Sequence, residues 1–354
     1  MRPERLLLLP LVFLVFSCEK PLPPPGPVEL EQGLFIVNEG NFTYGNASLS
    51  FWDLERDTVF EDVFFAANGY PLGDVAYSMA LVGGKAFIVV NNSGKVVVAD
   101  PRGLQVQKTL GGLVSPRQIL PIDDSTAYVS DLYSTRLSLL DTRRLELRGE
   151  LELGATSEAM LLHEGFAYVA NWSFGEWLFK VDARAHRKVD SLRVARQPNS
   201  MALDAQGQLW LLSDGGFPGM PGGKQPSTLT RVRLSDFQVT RTLAWPDPLA
   251  SATELRANAR GDSLFFLLNG TAPGAPGGVF VLPIEAEAMP TRPLVHSQGR
   301  LFYGLAVRPS NSELFVSDAL DYLQKGWVFR ASPDGRLLDS VRVGIIPGAF
   351  CFYD

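Results

Sequence analysis

The side chains able to do chemistry in this chain recur at one kind of place. They sit at, or just beyond, the polar end of short aromatic and β-branched segments. Asn38, Asn41, Asn92, Asp131, Asn171, Asp214 and Asp318 mark such ends, and Phe42, Tyr133, Trp172 and Phe217 follow in the same stretches. A second set, Arg117, Glu158, Asn199 and Tyr303, stands where the chain enters the next apolar segment. Amides and acids fix a ligand's orientation through hydrogen bonds, while rings give flat apolar contact at low entropic cost. The chemistry these residues suggest is recognition, and together they are the candidate ligand contacts.

Catalytic and metal-ligating patterns do not accompany them. The three histidines, His163, His186 and His296, have no partner at ligand spacing, so no zinc site is expected. Nucleophile-elbow, phosphate-loop and dinucleotide fingerprints are absent from the sequence, as is any acid/base pair with a positioned third group. The expectation is a protein that is not an enzyme and uses no cofactor. Acidic residues outnumber basic ones, 38 to 32, and no Lys/Arg run occurs, which argues against nucleic acid as a partner.

The elements that must position the candidate residues form a repeat. One unit reads YVSDLYSTRLSLLDTRRLELRGELELG from Tyr128, and the next YVANWSFGEWLFKVDARAHRKVDSLRVA from Tyr168. Others open near Phe35, Phe87, Trp210, Phe265 and Phe315, a period of roughly 40–55 residues. Each unit holds four strands: an entering strand, a β-branched and aromatic second, an alternating third that stops at an Asp, and a polar fourth suited to an outer edge. Those Asp residues, Asp53, Asp100, Asp141 and Asp182, are expected to accept backbone N–H groups in the following turn. The fold class is all-β: a seven-bladed β-propeller over residues 33–354, with four-stranded blades. The first unit, from Gly33, lacks its entering strand, and the C-terminal IPGAFCFYD resembles one. The C-terminal strand is therefore expected to complete the first blade and close the ring.

Antiparallel strands sort the connections into two faces. Loops between second and third strands, and those between blades, share one face, here called the top. The longest irregular segments are expected there: 38–48, 171–176, 213–227, 269–278 and 317–326. Long loops gathered on one face of a rigid scaffold are the usual seat of binding.

The start of the chain reads differently. Arg2 and Arg5 precede an apolar run, Leu6–Phe16, too short to span a bilayer, and the run ends at Ser17-Cys18. This resembles a bacterial lipoprotein signal: residues 1–17 removed, Cys18 lipidated, and the Pro-rich residues 18–32 left as an extended stalk. The other cysteine, Cys351, then has no disulfide partner and is expected to pack in the interior. The expected location is the outer membrane, in the cell-surface or periplasmic leaflet.

The YVSD…RLSLLD repeat resembles the YVTN-type propellers of bacterial and archaeal surface proteins. The opening GLFIVNEGNFTYGNASLSFWD with the ending GIIPGAFCF is similar to the YncE-like propeller lipoproteins of Bacteroidetes. That class includes cobalamin-binding lipoproteins that sit over TonB-dependent transporters. The resemblance implies capture of a ligand, plausibly a corrinoid, on the top face, with a TonB-dependent outer-membrane receptor as partner. The alternative is a surface propeller that engages other proteins and takes no small molecule.

Overall fold

A computed structural model describes residues 29–269 and 277–353. Cys18, the proposed signal and all but the end of the stalk lie outside the described residues, as does most of the 269–278 loop.

Seven four-stranded antiparallel sheets form the molecule. In six of them the strands follow chain order from the centre outward. In the seventh the C-terminal strand Pro347–Tyr353 takes the inner position beside Gly33–Asn38. Ring closure thus joins the two ends of the chain: Gly33 lies opposite Tyr353 and Phe35 opposite Cys351. Closure covers a strand edge that an open array would leave to aggregate.

The second strand of each blade is sandwiched between two neighbouring sheets, which explains its near-continuous apolar sequence. In Gly33–Asn38 every residue is buried. Phe35 and Val37 point to the second blade, where they pack with Ile88, Val90 and Val97. Leu34 and Ile36 point the other way, toward Phe315, Val328 and Val343 of the last blade. The two-residue period of a strand thus serves two interfaces at once. Trp52 meets Phe315 edge-on at 5.8 Å across the closing seam. Asp53, Asp100, Asp141 and Asp182 each accept two backbone N–H bonds from the turn that follows, as expected.

Two features depart from the sequence reading. A short helix, Val63–Asn68, lies in the connection from the first blade to the second, and Val63 and Phe64 anchor it in the core. The long irregular segments are also not confined to the top. The outer strand of the sixth blade shrinks to Val295–His296, so residues 284–294 cross the opposite face as an extended connection.

Candidate functional site

Inner strands run side by side around the axis without pairing, and side chains bridge them. Ser78 Oγ donates to the Arg117 carbonyl at 2.6 Å, and Asn199 Nδ2 donates to the Ala252 carbonyl at 3.0 Å. At their top ends six of the seven carry a register shift against the second strand. The first residues left unpaired by these shifts are Gly348, Tyr77, Arg117, Asn199, Glu254 and Tyr303. A bulge re-aims side chains out of the sheet's alternation, and all six of these residues line one cavity at the top of the axis. The one blade without such a shift, the fourth, supplies Glu158, just before its inner strand Met160–His163. Backbone strain gathers beside the bulges. Val75, Gln197, Glu254 and Ile346 all have left-handed φ, between 53° and 61°, and for β-branched Val75 and Ile346 that conformation is a true outlier.

The cavity encloses ≈ 340 Å³. At its centre Arg117 Nε donates to both carboxylate oxygens of Glu158, at 3.0 and 2.9 Å, and Glu158 is only 3% exposed. Tyr77 hydroxyl donates to the same carboxylate at 2.7 Å. The guanidinium lies 3.4 Å from the centre of the Tyr77 ring and 5.8 Å from that of Trp172. Burial opposes the Arg117 charge, but Glu158, Tyr77 and Glu39 together outweigh it and hold the pKa above the usual value. Trp172 Nε1 donates to Asp214 Oδ2 at 2.8 Å, which fixes the indole as a wall. Tyr303 hydroxyl donates to Glu39 Oε2 at 3.2 Å, and Tyr322 packs edge-on to Tyr303 at 5.8 Å. Burial pushes the Glu39 carboxyl up to about 7, aided by Glu254 and Glu158 and opposed by Arg117 and the Tyr303 hydrogen bond. Glu254 and Asp214 are also raised, chiefly by burial.

Six of the sequence-derived contacts therefore converge on the cavity: Arg117, Glu158, Trp172, Asn199, Asp214 and Tyr303. Of the residues at the ends of second strands, Asp214 and Asn269 line it, but Asn38, Asp131, Asn171 and Asp318 do not. Asn38 is buried and donates to Ser48 Oγ and Ser50 Oγ, at 3.2 and 3.1 Å. Asp131 accepts from the backbone N–H groups of Ser115, Tyr133 and Ser134. Asn171 donates to Thr156, and Asp318 accepts from Leu301 and Leu320. A strand end is where the chain must turn, and these side chains satisfy the turn and pin the connection entering an inner strand. Asn92 donates to Asp74 and Asn41 to the Tyr322 carbonyl. Phe42, Tyr133 and Phe217 stand in the surrounding loops and are 66%, 70% and 46% exposed. Tyr77, Ser78, Gln118, Thr253 and Arg256 also line the cavity. Tyr77 occupies the position of Arg117 in its own inner strand, a signal that aligning the inner strands would give; the other four flank such positions.

A wider groove of ≈ 620 Å³ opens on the opposite face, between Leu81–Lys85 and Ile122–Arg143. Its charged members, Lys85, Asp123, Asp124 and Arg143, stand at turns, and no buried ion pair organises it. Among the described residues no three His, Cys, Asp or Glu side chains are grouped to hold a metal ion, and no helix is long and apolar enough to cross a membrane.

Solved structures share the fold at low sequence identity. A quinonprotein alcohol dehydrogenase-like protein from Bacteroides thetaiotaomicron aligns with TM-score 0.70 and 14% identity, over 92% of this chain and 79% of its own. A protein from Lactobacillus plantarum gives 0.65 and 11%, over 92% and 100%. Hydrazine synthase of Kuenenia stuttgartiensis gives 0.57 and 15%, over 77% and 88%. Their differing descriptions show that the scaffold carries no single chemistry. No curated protein sequence matches the chain. Residues 32–327 match the model of a domain of unknown function, DUF5074, and the chain belongs to that family.

Proposed function

We propose that the chain is a lipid-anchored envelope protein that binds an organic ligand, without chemistry, at the top of the propeller axis. One observation carries the reading: a cavity floored by a buried Arg117–Glu158 pair and walled by Tyr77, Trp172 and Tyr303 opens among loops bearing exposed rings. Polar groups at the floor orient, and rings at the rim hold apolar surface. Lipidation at Cys18 would keep the captured ligand near an outer-membrane receptor of the TonB-dependent type, raising its local concentration there.

The corrinoid implied by the family resemblance is the first ligand to test. Its macrocycle is broader than a cavity of ≈ 340 Å³. It would lie across Phe42, Tyr133 and Phe217 with one side arm in the cavity. Titration of cyanocobalamin into the purified chain from residue 29, followed by calorimetry and co-elution of visible absorbance, is expected to give binding at about micromolar concentration or tighter. Absence of both signals at that protein concentration removes the corrinoid. The exposure of Tyr44, Phe174 and Leu323, at 77%, 67% and 71%, favours a second reading, a protein partner seated on the same rim.

A further inference from the structure

The charges lining the cavity are not balanced. Four carboxylates, Glu39, Glu158, Asp214 and Glu254, face two guanidinium groups, Arg117 and Arg256. Both guanidiniums are already engaged. Arg117 is bound through Nε to both oxygens of Glu158, and Arg256 Nη2 reaches Glu254 Oε2 at 2.5 Å. Asp214 takes hydrogen bonds from the Trp172 indole and from the Gly216 backbone. Glu39 is different: among the described residues its side chain receives one hydrogen bond, from the neutral Tyr303 hydroxyl, and no salt bridge, and Arg117 acts on it only from a distance.

The surroundings of Glu39 are also built rather than incidental. Its backbone N–H donates to the Ile346 carbonyl at 2.8 Å, tying the residue to the closing strand. Its Oε1 lies against Gly348, where an added Cβ would come within 2.4 Å. A glycine at that bulge leaves room for the carboxylate beside the axis. Tyr303 and Tyr322 stand beside it at right angles, and Trp172 closes another side of the cavity. A carboxylate in a cavity walled by aromatic rings can attract an ammonium or guanidinium, by its charge and by the quadrupole of any ring the cation packs on. Burial disfavours the Glu39 anion when it has no counter-ion, and an incoming cation relieves that penalty.

We propose that the group entering the cavity is an organic cation, a primary ammonium or a guanidinium, paired with Glu39 and packed between Tyr303, Tyr322 and Trp172. The inference rests on the cavity's being the binding site and does not require a corrinoid. Arg117 and its Glu158 are then a floor without net charge: Nε is bound to both carboxylate oxygens and Glu158 neutralises the guanidinium, which keeps its Nη N–H groups as donors.

The test compares three probes of matched shape: phenethylamine, 2-phenylethanol and phenylacetate, titrated calorimetrically into the chain from residue 29. The amine is expected to bind most tightly, and Glu39→Gln to weaken it roughly thirtyfold while leaving the alcohol unchanged. Equal or tighter binding of the acid or the alcohol overturns the proposal, as does amine binding that Glu39→Gln leaves intact in a variant with a normal melting curve. Trp172→Ala separates this failure from failure of the site itself. If cyanocobalamin binds, Trp172→Ala abolishes that binding and no probe shows the amine preference, the cavity stands and the cation falls. If the amine binds and Trp172→Ala leaves it unchanged, the ligand lies elsewhere and both readings fall.

Discussion

Glu39 has a strongly perturbed environment in the candidate site, and its energetics are separable from binding. Arg117, Tyr303, Glu254 and Glu158 all act on it, but burial dominates and raises the carboxyl from 4.5 to about 7. A folded-state pKa above the unfolded one means the associated stability is full below about 4.5 and is lost as pH rises through about 7. Glu39→Gln removes that loss. The variant is expected to match the parent in urea unfolding at pH 5 and to exceed it at pH 8, by on the order of 2–3 kcal/mol. An equal gain at both pH values would assign the effect to packing instead of ionisation. Arg117 belongs to the opposite case, a buried pair whose value lies in being complete. Removing either partner would strand a charge, at a cost of about 3–5 kcal/mol.

At the scale of the strand, the bulges at the top of the inner strands are the device that turns a repetitive sheet into a site. They need close approach between neighbouring inner strands, which Gly304 permits. A Cβ there would stand 2.5 Å from the Gly348 carbonyl oxygen and 3.0 Å from its carbon, both backbone atoms that cannot swing away. Gly304→Ala is therefore expected to cost about 1–3 kcal/mol in denaturant unfolding. Gly149, in the outer strand Glu146–Glu152, has nothing within 4 Å of the same position. Gly149→Ala should be neutral or slightly stabilising, by less than about 1 kcal/mol. Similar losses at both positions would mean that the inner-strand approach is not specially tight.

For the whole molecule, the place where the chain enters the ring sets which way the site faces. The Leu30 N–H donates to the Arg102 carbonyl at 2.7 Å, and Glu31 pairs with Arg56 at 3.1 Å. Arg56 and Arg102 both lie in turns between third and fourth strands, on the face opposite the cavity. A tether attached through residue 29 therefore joins the propeller on the far side from the mouth. With Cys18 lipidated as proposed, Cys18→Ala is expected to move the protein from the membrane to the soluble fraction while ligand affinity changes by less than about twofold. Affinity that falls with the anchor would place the tether in the site, contrary to this geometry.

The blade count, the four-strand unit, the turn-capping Asp residues and the ring-closing role of GIIPGAFCF were all legible in the chain. Each depends on local periodicity: an apolar stretch buried on both faces, a polar edge and an Asp that satisfies its own turn. The site was legible only in part, because strand-end residues such as Asp131 and Asn171 and inner-strand residues such as Arg117 and Tyr303 carry the same kinds of side chain. Sequence patterning placed both groups on the top face. Only the tertiary structure separated them, since Asp131 and Asn171 fold back onto their own connections while the inner-strand bulges turn Arg117 and Tyr303 toward the axis. The convergence of Glu39, Arg117, Glu158 and Glu254 belongs to the closed ring alone. These residues come from four blades, and no local pattern encodes the meeting of strands that never pair.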